Sequence, residues 1–305
     1  MILRPRPHGW QLLYITRGSV LLEIAPSVLA ITLLSVAVAL VAGRYHPFAA
    51  SALSVAPFSL FGLVLSIFLS FRNNACHERW WEARKLWGQL IIEARTLARQ
   101  CQVLLPQDEA LRRRVSYLAI GFAHTLVARL RGRDMHAAAL PWLDEAQRQR
   151  LGERLNTPDQ LLGMMAQALA EPLQAGRLDP YLYGLLEARV NALSGIQGAC
   201  ERIVSTPLPF AYTLLLHRGV WVYCVLLPFG LAGALGWWTP LVSALLAYAF
   251  FGLDQLSEEL EEPFGLAPND LPLDALARGI EIDLRDALGE RPLPEPLQPR
   301  QYLLQ

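Results

Sequence analysis

Apolar positions in this chain gather into blocks instead of alternating with polar ones. Three blocks contain no Asp, Glu, Lys or Arg: residues 24–43, 47–71 and 219–253. The first holds the run 24–42 (IAPSVLAITLLSVAVALVA), about 28 Å long as a helix and enough to cross a bilayer. A short turn around Arg44, Tyr45, His46 and Pro47 joins it to the second. Two adjacent uncharged runs of this length fit membrane spans better than buried helices of a soluble protein. The third block is too long for one simple crossing. Its middle reads GALGWWTP, where Gly233, Gly236 and Pro240 interrupt a helix and Trp237 and Trp238 suit a membrane–water interface. It splits into a hairpin of two rather short helices, which gives four crossings with both termini on one side.

Between the second and third blocks the pattern changes to helical periodicity with ordinary charge. After Arg72, the apolar positions Trp80, Ala83, Trp87, Leu90, Ile91, Ala94, Leu97 and Ala98 recur at helical spacing. No proline stands between Phe58 and Leu105, so the second span is expected to continue as one helix of roughly 70 Å. Further helices are expected over 108–132, 158–175 and 178–204, broken near Pro106, Gly132, Pro158 and Gly176. After Pro263 come Pro268, Pro272, Pro292, Pro294, Pro296 and Pro299, which read mostly as an extended arm wrapping a neighbour. The expected organisation is 1–71 (N-terminal segment and two spans), 72–217 (helical cytosolic domain), 218–254 (membrane hairpin) and 255–305 (acidic segment and arm).

Orientation follows from arginine placement. Arg4, Arg6 and Arg17 precede the first span; Arg72, Arg79, Arg84 and Lys85 follow the second; Arg218 precedes the third. The outer turns hold only Arg44, so the termini and the central region are expected in the cytoplasm of a cell-membrane (inner-membrane) protein.

Composition adds exclusions. The 305 residues are 53% hydrophobic and 18% charged, with 27 basic and 27 acidic residues, so no global basic field points to nucleic acid. Cys76, Cys101, Cys200 and Cys224 lie far apart without CxxC spacing, which argues against a disulfide framework or a zinc site. The six histidines show no HxxxH or HExxH spacing, and no GxSxG or glycine-rich phosphate loop is present. No cofactor is expected, and an enzyme is disfavoured. A non-conducting membrane scaffold and an intramembrane enzyme using Glu23 or the acidic cluster remain as rivals; Glu23 suits the interface, since a mid-membrane carboxylate is costly.

The richest stretch is SLFGLVLSIFLSFRNN at the end of the second span. Gly62, Ser66 and Ser70 form a small-residue stripe of the kind that lets helices pack closely in lipid. Leu63, Ile67 and Phe71 form a large apolar stripe beside it. Around an axis they would make stacked apolar rings, which gate by dewetting; by periodicity alone they equally suit lipid or a partner helix.

The run FRNNACHERWWEARKLWGQLI, with VAPFSLFGLVLSIFLSF before it, resembles the bacterial branch of the bestrophins, as do CERIVSTPLPFAYTLLLHR and EELEEPFGLAPNDLPLDAL. The likeness extends nearly end to end. It implies an all-α membrane protein with four transmembrane helices and a large helical cytosolic domain per subunit, assembled as a homopentamer around a central pore. It also implies that Leu63, Ile67 and Phe71 form the apolar neck of that pore, and that a second, cytosolic aperture falls in GRLDPYLYGLLE, with Tyr181 the residue chosen. Animal members conduct chloride, whereas the bacterial branch includes channels for monovalent cations. The bacterial likeness therefore implies sodium or potassium, with a chloride channel of the same architecture as the alternative.

The sequence departs from the family at the calcium clasp. Where animal members carry consecutive acidic residues, this chain has Leu266, Ala267, Pro268, Asn269 and Asp270. Calcium takes six to eight oxygen ligands, so Asp270 makes at most a weak, degenerate site, and a turn-forming role suits it better. Upstream, Asp254, Glu258 and Glu261 share a helical face, beside Glu259 and Glu262. Near a pore they would attract cations; pairing with Arg72, Arg79 or Arg218 is the favoured expectation.

Overall fold

The computed structural model describes residues 1–4, 8–15, 18–44, 55–152 and 155–305. The turn residues Tyr45, His46 and Pro47, the start of the second apolar block, and Arg6 and Arg17 lie outside the described residues. The protein is all-α: among the described residues the only β contacts are isolated bridges, Ile2 with Leu303 and Arg300 with Leu303. The chain divides into two compact units, one formed by Pro5–Trp80 and Pro207–Glu262, the other by Met1–Arg4, Trp81–Thr206 and Pro263–Gln305.

The first unit is built from apolar helices. Helix α1 is Leu21–Arg44, and α2 is Val55–Leu104, about 75 Å at the usual rise and unbroken because its one proline, Pro57, stands in the first turn, where no backbone bond is lost. Only residues of α2 up to Trp80 belong to this unit. After Pro207 come α8, Phe210–Leu235, and α9, Thr239–Glu261, joined by a 3-10 turn over Gly236–Trp238 (the intervening helices α3–α7 are given below). Gly236 takes φ 52°, a left-handed value that glycine adopts without steric cost, and this reverses the chain. The hairpin helices are 26 and 23 residues long, not short as expected. No breaker stands between Phe210 and Arg218 or between Asp254 and Glu261, so both helices run past the uncharged block. Stretches within Leu21–Arg44, Ala56–Leu104 and Phe210–Glu261 are long and apolar enough to cross a membrane. They pack around Ile24, Ile31, Leu65, Leu69, Val220, Tyr223, Leu227, Phe250 and Phe251. Trp237 and Trp238 at the hairpin tip stay exposed, as an interfacial pair would.

The second unit centres on α3, Glu109–Leu130, which is buried on nearly every side from Leu118 to Ala128. Two short helices follow, α4 (Met135–Ala139) and α5 (Glu145–Arg150), in a stretch where the sequence predicted none. Helix α6 is Thr157–Gln174 and α7 is Pro180–Ser205, close to the expected spans. Their starts follow from capping: Asn156 and Asp179 accept from backbone amides two or three residues on, with Pro158 and Pro180 in the first turn. Helix α6 ends at Gly176, φ 68°, where Arg177 N donates to the Pro172 carbonyl and Gly176 N to that of Leu173.

The proline-rich tail differs most from expectation. It contains α10, Leu273–Ala287, whose buried residues Leu273, Ala277, Ile280 and Leu284 pack on α3. Prolines flank this helix but do not enter it. Beyond it the chain has no regular structure, and its last residues fold back: Leu304 N donates to the Met1 carbonyl and Leu3 N to that of Tyr302. This end of the arm therefore pairs within its own chain.

Candidate functional site

Helix α2 has two faces within the first unit. Gly62, Leu65, Leu69, Arg72 and Cys76 are buried against the helix's own neighbours. Leu63, Ile67 and Phe71 point away from that core and are 59%, 47% and 61% exposed. Within one chain, only Gly62 of the small stripe is packed against a neighbouring helix. A Cβ at Gly62 would lie 2.6 Å from Tyr223 Oη, so Gly62 is where α2 and α8 approach most closely along it. Ser66 and Ser70 are exposed, and Ser66 Oγ donates to its own helix at the Gly62 carbonyl, 2.7 Å away. The cause is geometric: each four-residue step rotates about 40°, which carries Ser70 about 80° from Gly62. A second tight contact, a would-be Cβ at Gly230 2.5 Å from Phe58, completes the α2–α8 packing. Neither Tyr223 nor Phe58 was singled out by the sequence pattern, because each is one apolar residue among many.

Where α2 leaves the apolar block, charges are drawn inward. Arg72 Nη1 lies 2.5 Å from Asp254 Oδ1, their side chains being 3% and 9% exposed, and Arg72 Nη2 is 3.7 Å from Glu261 Oε2. The other Asp254 oxygen is 2.7 Å from His217 Nδ1, so one carboxylate on α9 ties together α2 and α8. Arg79 Nε donates to the Glu261 carbonyl at 3.2 Å, and Leu208 N to the Glu261 carboxylate at 3.2 Å. The pairing expected of Asp254 and Glu261 is thus present. His217 was not expected in it, since its partner lies 37 residues away in sequence. Glu258 and Glu262 line an adjoining cleft of about 590 Å³ with Phe210 and Leu214. At the start of α1, Glu23 accepts from Gln255 Nε2 at 2.6 Å.

In the second unit Tyr181 is 75% exposed in the first turn of α7, where its backbone N donates to the capping Asp179 at 2.8 Å. Its ring makes no core of its own. Asp270 is buried, and its Oδ2 accepts from Ala267 N at 2.7 Å across the turn. The segment around it is held by Arg131, which donates to the Phe264 carbonyl (3.1 Å), the Leu271 carbonyl (3.1 Å) and Asp274 (2.6 Å). Burial pulls the Arg131 guanidinium below its usual range, and Asp274 and Asp270 oppose that shift. No group of three or more His, Cys, Asp or Glu residues able to hold a metal ion occurs among the described residues. The four cysteines are free and buried, and burial pushes the Cys101 and Cys200 thiols up to about 12.

The sequence profile described as Bacterial/Fungal Bestrophin protein matches residues 1–286. A relative from Mesorhizobium japonicum, named voltage-dependent anion channel-forming protein mll4386, is 47% identical over 292 residues, covering 96% of this chain and 94% of that one. The Escherichia coli (strain K12) protein named voltage-dependent anion channel-forming protein YneE is 41% identical over 305 residues, the full length of both. A crystal structure of a bacterial bestrophin homologue from Klebsiella pneumoniae superposes with a TM-score of 0.83 at 39% identity, covering 87% of this chain and 98% of that one. With the profile spanning nearly the whole chain and the fold and sequence agreeing throughout, this protein is a member of the bacterial and fungal bestrophin family.

Proposed function

We propose that the chain is the pore-forming subunit of a homopentameric channel, with Leu63, Ile67 and Phe71 from each copy forming an apolar neck around the axis. Family membership makes it an ion-channel protein of the membrane and not an enzyme. The observation that carries the pore reading is the face of α2: three large apolar side chains point away from a core that already buries the opposite side of the helix. Such a face requires lipid, another copy, or a dewetting constriction; a pore on the symmetry axis places it in the last role. Tyr181, exposed at the start of α7, suits a second, cytosolic aperture. The termini and the second unit lie in the cytoplasm on this reading, with the hairpin tip at Trp237 and Trp238 on the other side of the inner membrane.

The ion is a small monovalent anion. The names of the Mesorhizobium and Escherichia relatives support this, and the physical ground for expecting cations has weakened. That expectation leaned on Asp254, Glu258 and Glu261 as free carboxylates, yet Asp254 is paired with Arg72 and hydrogen-bonded to His217, and Glu261 sits beside Arg72 and Arg79. The test is the reversal potential of purified protein in a planar bilayer under a potassium chloride gradient. Reversal on the chloride side supports the anion reading, reversal on the potassium side returns the sodium-or-potassium alternative, and absence of current removes the pore.

A further inference from the structure

We infer that Glu78 is a charge-selective element of the conduction path, a carboxylate just inside the neck that restrains anions. The inference rests on the pore reading above and extends it to a residue outside the apolar rings. Helix α2 runs without interruption from Val55 past this point, so angular positions follow from residue number. Glu78 stands eleven residues beyond Ile67 and seven beyond Phe71; at 100° per residue it falls about 20° from each, between their directions. It lies about 10 Å along the axis from Phe71. Asn74, a neutral amide, occupies the intervening turn on the same face, and both Asn74 and Glu78 are exposed.

The two guanidinium groups nearest the neck, those of Arg72 and Arg79, turn the other way. Arg72 is buried and paired with Asp254, and Arg79 donates to the Glu261 carbonyl on the inner side. The helix thus directs the Arg72 and Arg79 guanidinium groups to its own unit and leaves the Glu78 carboxylate on the face that carries Leu63, Ile67 and Phe71. The next exposed charge of opposite sign at this heptad spacing, Lys85, is seven residues further on, about 10 Å along a helix and beyond the screening length of physiological salt. One carboxylate per subunit, repeated around an axis beside an apolar constriction, lowers the local anion concentration where ions queue to enter, so it moderates the anion preference proposed above without reversing it.

The experiment compares chloride-to-potassium permeability ratios of wild type, Glu78→Gln, Glu78→Asp and Ile67→Ala, reconstituted in planar bilayers at two salt concentrations. Glu78→Gln should raise the ratio on the order of tenfold at low salt, and the effect should shrink near 1 M, where charges are screened within about 3 Å. Glu78→Asp should keep the wild-type ratio. A merely structural role would alter oligomer yield without this salt dependence. Should Glu78→Gln fail to assemble, Glu78→Cys treated with anionic or cationic thiol reagents supplies the comparison, the native cysteines being buried. The two reagents should then move the ratio in opposite directions. An unchanged ratio in Glu78→Gln, or equal effects of both reagents, while Ile67→Ala alters the current, overturns the Glu78 assignment and leaves the pore standing. No response from either position overturns both.

Discussion

Removing the carboxylate of Asp254 should destabilise the apolar unit severely, and removing its partner as well should restore most of the loss. Arg72 and Asp254 are 2.5 Å apart with side chains only 3% and 9% exposed, so water cannot replace either partner. Breaking a buried ion pair on one side costs about 3–5 kcal/mol, chiefly because the remaining charge stays desolvated. In Asp254→Asn the guanidinium keeps Glu261, already 3.7 Å away, as a substitute acid, which places the expected loss near the lower end, about 3 kcal/mol. His217 adds little to the penalty, because its side chain is 54% exposed and water can take over its bond. Replacing both charges by apolar groups of similar size, as in Arg72→Met with Asp254→Leu, removes the buried pair together and is near neutral in comparable sites; Glu261 loses Arg72 but keeps the bond from Leu208 N. The assay is thermal unfolding of detergent-purified protein, read as the fraction of native oligomer surviving each temperature. At about 2–4 °C per kcal/mol for a unit of this size, Asp254→Asn should melt about 6–12 °C lower than wild type. The double variant should return to within a few degrees. Melting of Asp254→Asn close to wild type, or of the double variant below either single one, would refute the reasoning.

Gly62→Ala places a methyl 2.6 Å from Tyr223 Oη and should lower the melting temperature, with Gly62→Ala plus Tyr223→Phe recovering part of the loss. Opening should be insensitive to micromolar calcium, since Asp270 spends its Oδ2 on Ala267 N and the neighbouring acidic ligands are replaced by Leu266, Ala267 and Pro268; calcium activation lost in Asp270→Ala would contradict this. Mass measurement of the detergent-purified protein should give five subunits, and a functional monomer or dimer would remove the axial pore.

Much of the fold is legible in residue order because breakers and caps act locally. Asn156 with Pro158, and Asp179 with Pro180, fix the starts of α6 and α7, and Gly176 stops α6 by taking a left-handed φ. The α8–α9 hairpin is equally visible in Gly236 and its paired tryptophans. What stayed hidden depends on contacts distant in sequence. Helix α10 was masked by the surrounding prolines, although Leu273, Ala277, Ile280 and Leu284 already carry helical spacing. Within one chain, Gly62 packs against Tyr223 while Ser66 and Ser70 stay exposed, a division that four-residue spacing alone does not reveal because it omits the roughly 40° drift at each step. The pairing of Asp254 with Arg72 could be anticipated from charges at two ends of apolar blocks. The share taken by His217 could not, because nothing nearby in sequence marks it. Ion sign was the least legible property: apolar rings carry no charge, and two of the carboxylates that suggested cations, Asp254 and Glu261, turned out to be engaged.

The most direct test of the pore is current through Ile67→Ala beside Leu33→Ala, both reconstituted as intact oligomers. Both side chains are exposed in the single chain, one on the proposed neck and one on α1, away from that neck on the proposed arrangement. An ion crossing a narrow apolar ring sheds water with no oxygen to replace it, and a bare charge in a low dielectric costs on the order of 20 kcal/mol before relaxation. Trimming the ring admits water, so Ile67→Ala should raise conductance or open probability markedly, while Leu33→Ala should conduct like wild type. Unchanged current in Ile67→Ala, with altered current in Leu33→Ala, would contradict the account.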